Sequence, residues 1–250
     1  MTDLHILGLP RSGTSFAFSY FVLLLRHSGL RFVDLFEPSN PWLKIENSAD
    51  GYRITGFNSS NLDTTLEERM QIYRSYDDQH RLIKHVFQKH CKPYIDLMMR
   101  GDDLSWIEIK RNTFERCLSW VISEQSGFWI SHKQATIDDF KENLTQFTAP
   151  LHFVESFQEH MKLYTDYRSR MIDYGTCLGV IDYDSLVSDC AELRGAVLKH
   201  FDLPDIGIDP MKLKDLEHYS HLMPKKSLTL EEKKHIVSNW QQILDLVGDE

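Results

Sequence analysis

Residues 4–16 read Leu-His-Ile-Leu-Gly-Leu-Pro-Arg-Ser-Gly-Thr-Ser-Phe, a short apolar run, a loop bracketed by glycines and the start of an apolar helix. The arrangement follows the phosphate-loop pattern G-x-x-x-x-G-K-[ST], which sits between a buried strand and a helix. Gly8 and Gly13 have the required separation and Ser15 fills the last position, but Thr14 stands where the lysine belongs. That lysine serves the β/γ-phosphates of a triphosphate. Without it, a loop can still cradle an anion with its backbone N–H groups and the positive end of the following helix. A positive charge survives at Arg11, inside the loop. The pattern therefore predicts a strand feeding a helix, and a phosphate-like ligand that is not the end of a triphosphate.

The rest of the chain repeats this alternation. Strands are expected over Leu4–Leu9, Arg31–Leu35, Arg81–Phe87, Ser105–Lys110 and Thr176–Tyr183, each a short apolar run bounded by turn residues. Helices are expected over Thr14–Arg26, Thr65–Tyr76, Pro93–Arg100, Asn112 or Thr113 to Glu124, 150–173, Ala191–Phe201 and Thr229–Val247. Thr229 and Glu232 have capping-box spacing at the start of the last one. Residues 38–62, rich in Asn, Ser, Pro and Gly, read as an irregular excursion. Strands alternating with helices predict an α/β fold: one phosphate-loop-like domain over residues 1–250, with a central parallel sheet and helices on both faces.

Composition removes several function classes. A net charge of −9 argues against bulk binding to nucleic acid or anionic membrane, while leaving room for a local basic pocket. Phe16–Leu25 is too short to cross a bilayer and reads as the buried first helix. With no export signal, the cytoplasm is the expected compartment, and the acceptor patterns at Asn58-Ser-Ser and Asn143-Leu-Thr carry little meaning. Cys91, Cys117, Cys177 and Cys190 are widely spaced and read as reduced thiols. No H-e-x-x-H or C-x-x-C pattern occurs, so no metal site is expected.

A second feature narrows the ligand. The strand Trp106–Lys110 delivers Arg111 at its C-terminal end, on the edge of a parallel sheet where ligands bind. Ser119 follows on the next helix, two turns on, so the pair could hold one phosphate. Pro-Arg-Ser-Gly-Thr-Ser together with Arg-x7-Ser resembles the two co-substrate signatures of the sulfotransferase family. Gly179-Val-Ile-Asp-Tyr-Asp-Ser-Leu is similar to that family's later strand, and Glu192–Leu203 to the helix after it, in the family's order along the chain.

The resemblance implies transfer of a sulfuryl group from 3′-phosphoadenosine 5′-phosphosulfate (PAPS) to a hydroxyl or amine, leaving PAP and requiring no metal. By the same resemblance, Pro10, Arg11, Ser12, Gly13, Thr14 and Ser15 would bind the 5′-phosphosulfate, Arg111 and Ser119 the 3′-phosphate, and Tyr183 would approach the adenine. Lys225 and Lys226 fall where family members fold a basic segment over the 3′-phosphate. Arg11 would stabilise charge on the bridging oxygen as the sulfuryl group leaves, and Lys84 matches a family lysine that would assist it. For the proton of the acceptor two residues compete. Glu37 lies in Leu-Phe-Glu-Pro, where some members carry a catalytic glutamate. His85 lies in Arg-Leu-Ile-Lys-His, one residue out of register with the family's catalytic histidine. Glu37 is the preferred base.

The acceptor is left open among a carbohydrate, a small hydroxylated molecule and a protein tyrosine. Trp42, Phe128 and Trp129 could line its cleft or pack in the core. Two other readings remain. A degenerate kinase or NTPase would need Asp182 or Asp184 to hold Mg²⁺, and a scaffold protein would bind nucleotide without turnover.

Overall fold

Every expected strand is followed by a helix long enough to return the chain across the sheet, and the computed structural model has the parallel order that such crossovers impose. It describes residues 1–40, 43–48, 51–57, 66–89, 91–98, 104–128, 134–171, 175–188, 191–205, 207 and 228–248. The strands are β1 (Asp3–Gly8), β2 (Phe32–Phe36), β3 (Leu43–Ser48), β4 (Gly51–Phe57), β5 (His80–Val86), β6 (Leu104–Lys110) and β7 (Gly175–Asp182). The helices are α1 (Thr14–His27), α2 (Leu66–Arg74), α3 (Lys92–Met98), α4 (Thr113–Ser126), α5 (Gln134–Asn143), α6 (Leu151–Met171), α7 (Tyr183–Ser188), α8 (Ala191–His200), α9 (Leu230–Ile236) and α10 (Trp240–Val247). The sheet order is β3-β4-β2-β5-β1-β6-β7, and β2-β5-β1-β6-β7 run parallel. The fold is therefore α/β, with β1 and its loop in the middle of the parallel strands.

Alternate residues of each strand supply the two faces of the sheet. Leu4 and Ile6 of β1, Leu82 of β5 and Ile107 and Ile109 of β6 pack with α1 and α8 in one buried cluster. Leu7 and Trp106 face the other way, toward Phe87, Ile95 and Tyr164, while Ile83 joins Val33, Leu35, Met70 and Met98 on that side. Helix α1 is buried from Phe16 to Leu25, as a crossover helix pressed on the sheet should be. Among the described residues no helix is long and apolar enough to cross a membrane. Cys91 and Cys117 are buried free thiols, and Cys177 is an exposed one.

Helix α5 was not among the expected elements, Tyr183 opens α7 instead of ending the last strand, and two further segments depart from expectation. Within 38–62, strands β3 and β4 form an antiparallel hairpin, paired from Leu43↔Phe57 to Ser48↔Gly51 and joined to β2 through Asp34↔Gly51. The apolar–polar alternation of Leu43–Glu46 and Tyr52–Thr55 was present in the sequence, diluted by turn-forming neighbours. The expected helix Thr229–Val247 is two helices, because the Ile236 carbonyl, the Ser238 N–H and the Asn239 side chain bond outside it. Phe147 N–H donates to the Ile236 carbonyl at 2.9 Å, and Ser238 N–H to the Phe147 carbonyl at 2.9 Å. Asn239 Oδ1 accepts from the Ala149 N–H at 2.8 Å. Tertiary hydrogen bonds thus replace the intrahelical ones at the break.

Candidate functional site

Strand β1 ends in a loop whose tightness is set by Gly8: a Cβ there would stand 2.7 Å from Ser12 Oγ and from Thr14 Cγ2, and 3.0 Å from the Ile109 carbonyl oxygen. Ser12 closes the loop, its hydroxyl donating to the Leu9 carbonyl at 2.6 Å and its N–H to the same oxygen at 3.2 Å. Arg11 and Gly13 take left-handed backbone conformations, with φ of 66° and 93°. Gly13 is the N-cap of α1 and provides no side-chain cap, and no acidic residue lies in the first turn. The first helical bond runs from Ala17 N–H to the Gly13 carbonyl at 3.0 Å. The amides before it have no acceptor inside the helix, so the loop offers them to an anion.

The next strand over, β5, supplies a cation, and the end of β2 beyond it supplies a carboxylate. Lys84, on β5, is fully buried and donates to Ser15 Oγ at 2.6 Å and to Glu37 Oε1 at 2.5 Å. Its ammonium also lies 3.8 Å from the centroid of the Phe36 ring. Burial pulls the Lys84 pKa below its ordinary value, and Glu37 opposes that shift. Glu37 Oε2 accepts from Asn40 Nδ2 at 2.8 Å. The backbone of Glu37 is left-handed, φ 53°, a conformation that costs a side-chain-bearing residue about 1–2 kcal/mol.

The strand on the other side of β1 supplies the second cationic end. Arg111 follows β6, and Asn112 caps α4 by accepting from the Glu115 N–H at 2.8 Å. The guanidinium of Arg111 grips the Glu115 carboxylate, Nη2 to Oε1 at 2.5 Å and Nε to Oε2 at 3.3 Å, and Nη1 reaches the Arg11 carbonyl at 3.3 Å. Lys233 from α9 donates to the same Glu115 Oε1 at 2.9 Å. Burial raises the Glu115 pKa, but Lys233 and Arg111 outweigh it and hold the carboxyl at about 2. Burial, with Arg111 beside it, lowers Arg11 to about 10, still charged at neutral pH.

Tyr183, the first residue of α7, covers the loop. Its ring passes so close to Gly13 that a Cβ there would be 2.2 Å from Cδ2. Arg111 stacks on the ring at 4.8 Å, and Phe16 meets it edge-on at 5.8 Å. Glycine is thus required at position 13 twice over, by φ and by contact.

Of the residues singled out in the sequence, Arg11–Ser15, Glu37, Lys84, Arg111 and Tyr183 are linked by these contacts along the carboxyl edge of the sheet. Ser119 sits one turn beyond Glu115, buried, with its hydroxyl donated to the Glu115 carbonyl at 3.0 Å. The fully buried His85 has both ring nitrogens engaged, with Ser39 Oγ at 3.0 Å and His5 Nδ1 at 2.9 Å. That leaves Glu37, not His85, bonded to Lys84. Phe128 stacks on Phe140 at 4.1 Å beside a cleft of about 420 Å³ that Phe147 and Asn143 also line. Lys225, Lys226, Trp42 and Trp129 lie outside the described residues. Asp182 and Asp184 are exposed at the end of β7, the outermost strand of the parallel run. Among the described residues no group of His, Cys, Asp and Glu is arranged to hold a metal.

Sequence reasoning missed Glu115, Lys233 and Asn40. The i,i+4 spacing of Arg111 and Glu115 was a readable signal; nothing local marks Lys233, which arrives from over a hundred positions away. No protein-family model matches the chain, and no curated protein matches it.

Proposed function

We propose that this protein is a PAPS-dependent sulfotransferase. One observation carries the reading: Lys84 Nζ bridges Ser15 Oγ, at the loop-to-helix junction, and the Glu37 carboxylate. A cation and a proton acceptor therefore meet where the loop amides would hold a phosphosulfate. The acceptor hydroxyl attacks sulfur, the bond from sulfur to the bridging oxygen breaks, and PAP departs. Lys84 and Arg11 offset charge on the sulfuryl and bridging oxygens, together with the loop amides. Glu37 takes the acceptor's proton. Lys84 turning from Glu37 toward the sulfuryl oxygens would release Oε1 for that task, while Asn40 keeps Oε2 in place. At the other end, Arg111 and Lys233 converge on the Glu115 carboxylate and bring two cations to the edge where a 3′-phosphate would lie. The acceptor is a hydroxylated or amine-bearing molecule: a carbohydrate, a small metabolite or a protein tyrosine.

Calorimetry with PAP and with Mg²⁺–ATP, followed by labelled-sulfate transfer from PAPS to a phenol, a sugar and a tyrosine peptide, tests the reading. Sub-millimolar PAP binding at low salt and transfer to one acceptor class are expected. Tighter binding of Mg²⁺–ATP than of PAP, or no PAP binding, overturns it.

A further inference from the structure

Glu37 keeps a left-handed backbone in a turn built from Glu37, Pro38, Ser39 and Asn40, and a conformation of that kind persists only where its surroundings fix it. Two successive residues of β5 hold the turn. The Lys84 carbonyl accepts from the Glu37 N–H at 3.0 Å, and Lys84 Nζ bonds the Glu37 carboxylate. His85 Nδ1 bonds Ser39 Oγ at 3.0 Å. Neighbouring residues of a strand face opposite sides of the sheet. Lys84 lies on the α1 side, shown by its bond to Ser15, and His85 on the side where Ile83 packs against α2 and α3. The turn therefore straddles the end of β5, gripped from both faces.

The second grip is itself anchored. His85 Nε2 bonds His5 Nδ1 at 2.9 Å, which carries the chain of contacts from the turn across β5 to β1. Ser39, His85 and His5 are all buried, at 0%, 0% and 1% exposure. Burial holds both imidazoles neutral, His5 down at about 3. Each ring then offers one N–H and one lone pair, and the chain Ser39–His85–His5 closes without placing two charges side by side. Three buried polar groups cost stability wherever apolar ones would pack as well. Their arrangement makes sense if it fixes a geometry.

We infer that His85 and Ser39 are positioning residues for the carboxylate of Glu37, acting through the turn that straddles β5, with His5 as the anchor on β1. Its kinetic consequence rests on the sulfotransferase reading; its structural consequence does not. Four variants separate the links. Ser39→Ala removes the contact on the turn, and Ser39→Thr keeps its hydroxyl. His85→Asn keeps a polar group near the position of Nδ1, facing Ser39, and His85→Gln keeps one near Nε2, facing His5. Crystal structures and steady-state kinetics are measured on each folded variant, with PAP affinity by calorimetry.

In Ser39→Ala and His85→Gln the backbone of Glu37 leaves the left-handed region and its bond to Lys84 opens. Turnover falls roughly 10²-fold, the loss typical of a misplaced catalytic group, while PAP affinity changes less than about twofold. Ser39→Thr retains the turn and most of the turnover, and His85→Asn, which keeps the contact on Ser39 but gives up the anchor on His5, loses less of both than His85→Gln. An unmoved Glu37 in Ser39→Ala, or equal impairment of His85→Asn and His85→Gln, overturns the inference. Loss of PAP binding by the parent protein would instead overturn the sulfotransferase reading, and the crystal structures would still decide the role of the clamp.

Discussion

Arg11 and Glu37 are two of the three side-chain-bearing residues with positive φ among the described residues, the third being Asp202. Strain of this kind collects at sites where geometry matters more than local preference. The sequence marked both positions through residue type and context, but their backbone conformations had no local signature; only glycine, as at position 13, announces such a turn in advance. On the proposed sulfotransferase reading, Glu37→Gln should lower turnover by about 10²–10⁴-fold with PAP affinity nearly kept, measured by labelled transfer and calorimetry. It also leaves buried Lys84 without its carboxylate, at a cost of about 3 kcal/mol at neutral pH. Because the folded-state pKa of Lys84 lies below its ordinary value, the unfolded chain binds the extra proton. The loss in Glu37→Gln should therefore shrink as pH rises toward that ordinary value, checked by urea titrations across alkaline pH. Gly13→Ala should cost about 1–3 kcal/mol. Adding Tyr183→Ala should return the part due to ring contact and leave the part due to φ, which a double-mutant cycle separates.

Helix α4 begins the second cationic end and α9 completes it, so the Glu115 carboxylate joins elements more than a hundred residues apart. Its folded pKa of about 2 is below the ordinary 4.5. Its contribution is fully present above that ordinary value and is lost as pH falls through the folded one. Acid unfolding curves of the parent should show this limb, worth on the order of 3 kcal/mol, and Glu115→Gln should lack it. The start of α9 was legible: Thr229 Oγ1 accepts from the Glu232 N–H at 3.2 Å, and Glu232 Oε2 from the Thr229 N–H at 2.6 Å, the reciprocal pair that its spacing predicts. Thr229→Ala should lower stability by about 1 kcal/mol by thermal unfolding. The end of α9 was not legible. Val237 continues an apolar helical pattern, yet Phe147 and Ala149 engage the Ile236 carbonyl, the Ser238 N–H and the Asn239 side chain and end the helix there. The hairpin β3/β4 was hidden for the opposite reason, since its turn-rich composition outweighed a weak alternation.

At the scale of the whole molecule, the C-terminal helices are part of the core. Leu228, Ile236, Val237 and Ile243 pack with Phe114, Leu118, Val121, Val154 and Phe157 of α4 and α6 in one buried cluster. Deleting residues 229–250 should expose that cluster and yield a chain that binds a hydrophobic dye and loses cooperative thermal unfolding, rather than a trimmed but folded protein. The surface is acidic overall, with a net charge of −9, while the carboxyl edge of the sheet gathers Arg11, Lys84, Arg111 and Lys233. What the sequence by itself determined was everything carried by short-range pattern. Apolar runs, helical periodicity, the Gly8–Gly13 spacing and a strand-end arginine determined the α/β class and the sheet edge that carries the candidate site, because those follow from periodicity and right-handed crossovers. Only the tertiary structure decided which side chains meet there. Lys84 turned to Glu37 while His85 turned away to Ser39 and His5, and Lys233 came in from a distant helix to join Arg111 on Glu115. Neighbouring strand residues differ by half a turn, and sequence separation says nothing of where a distant helix docks; packing chose among them.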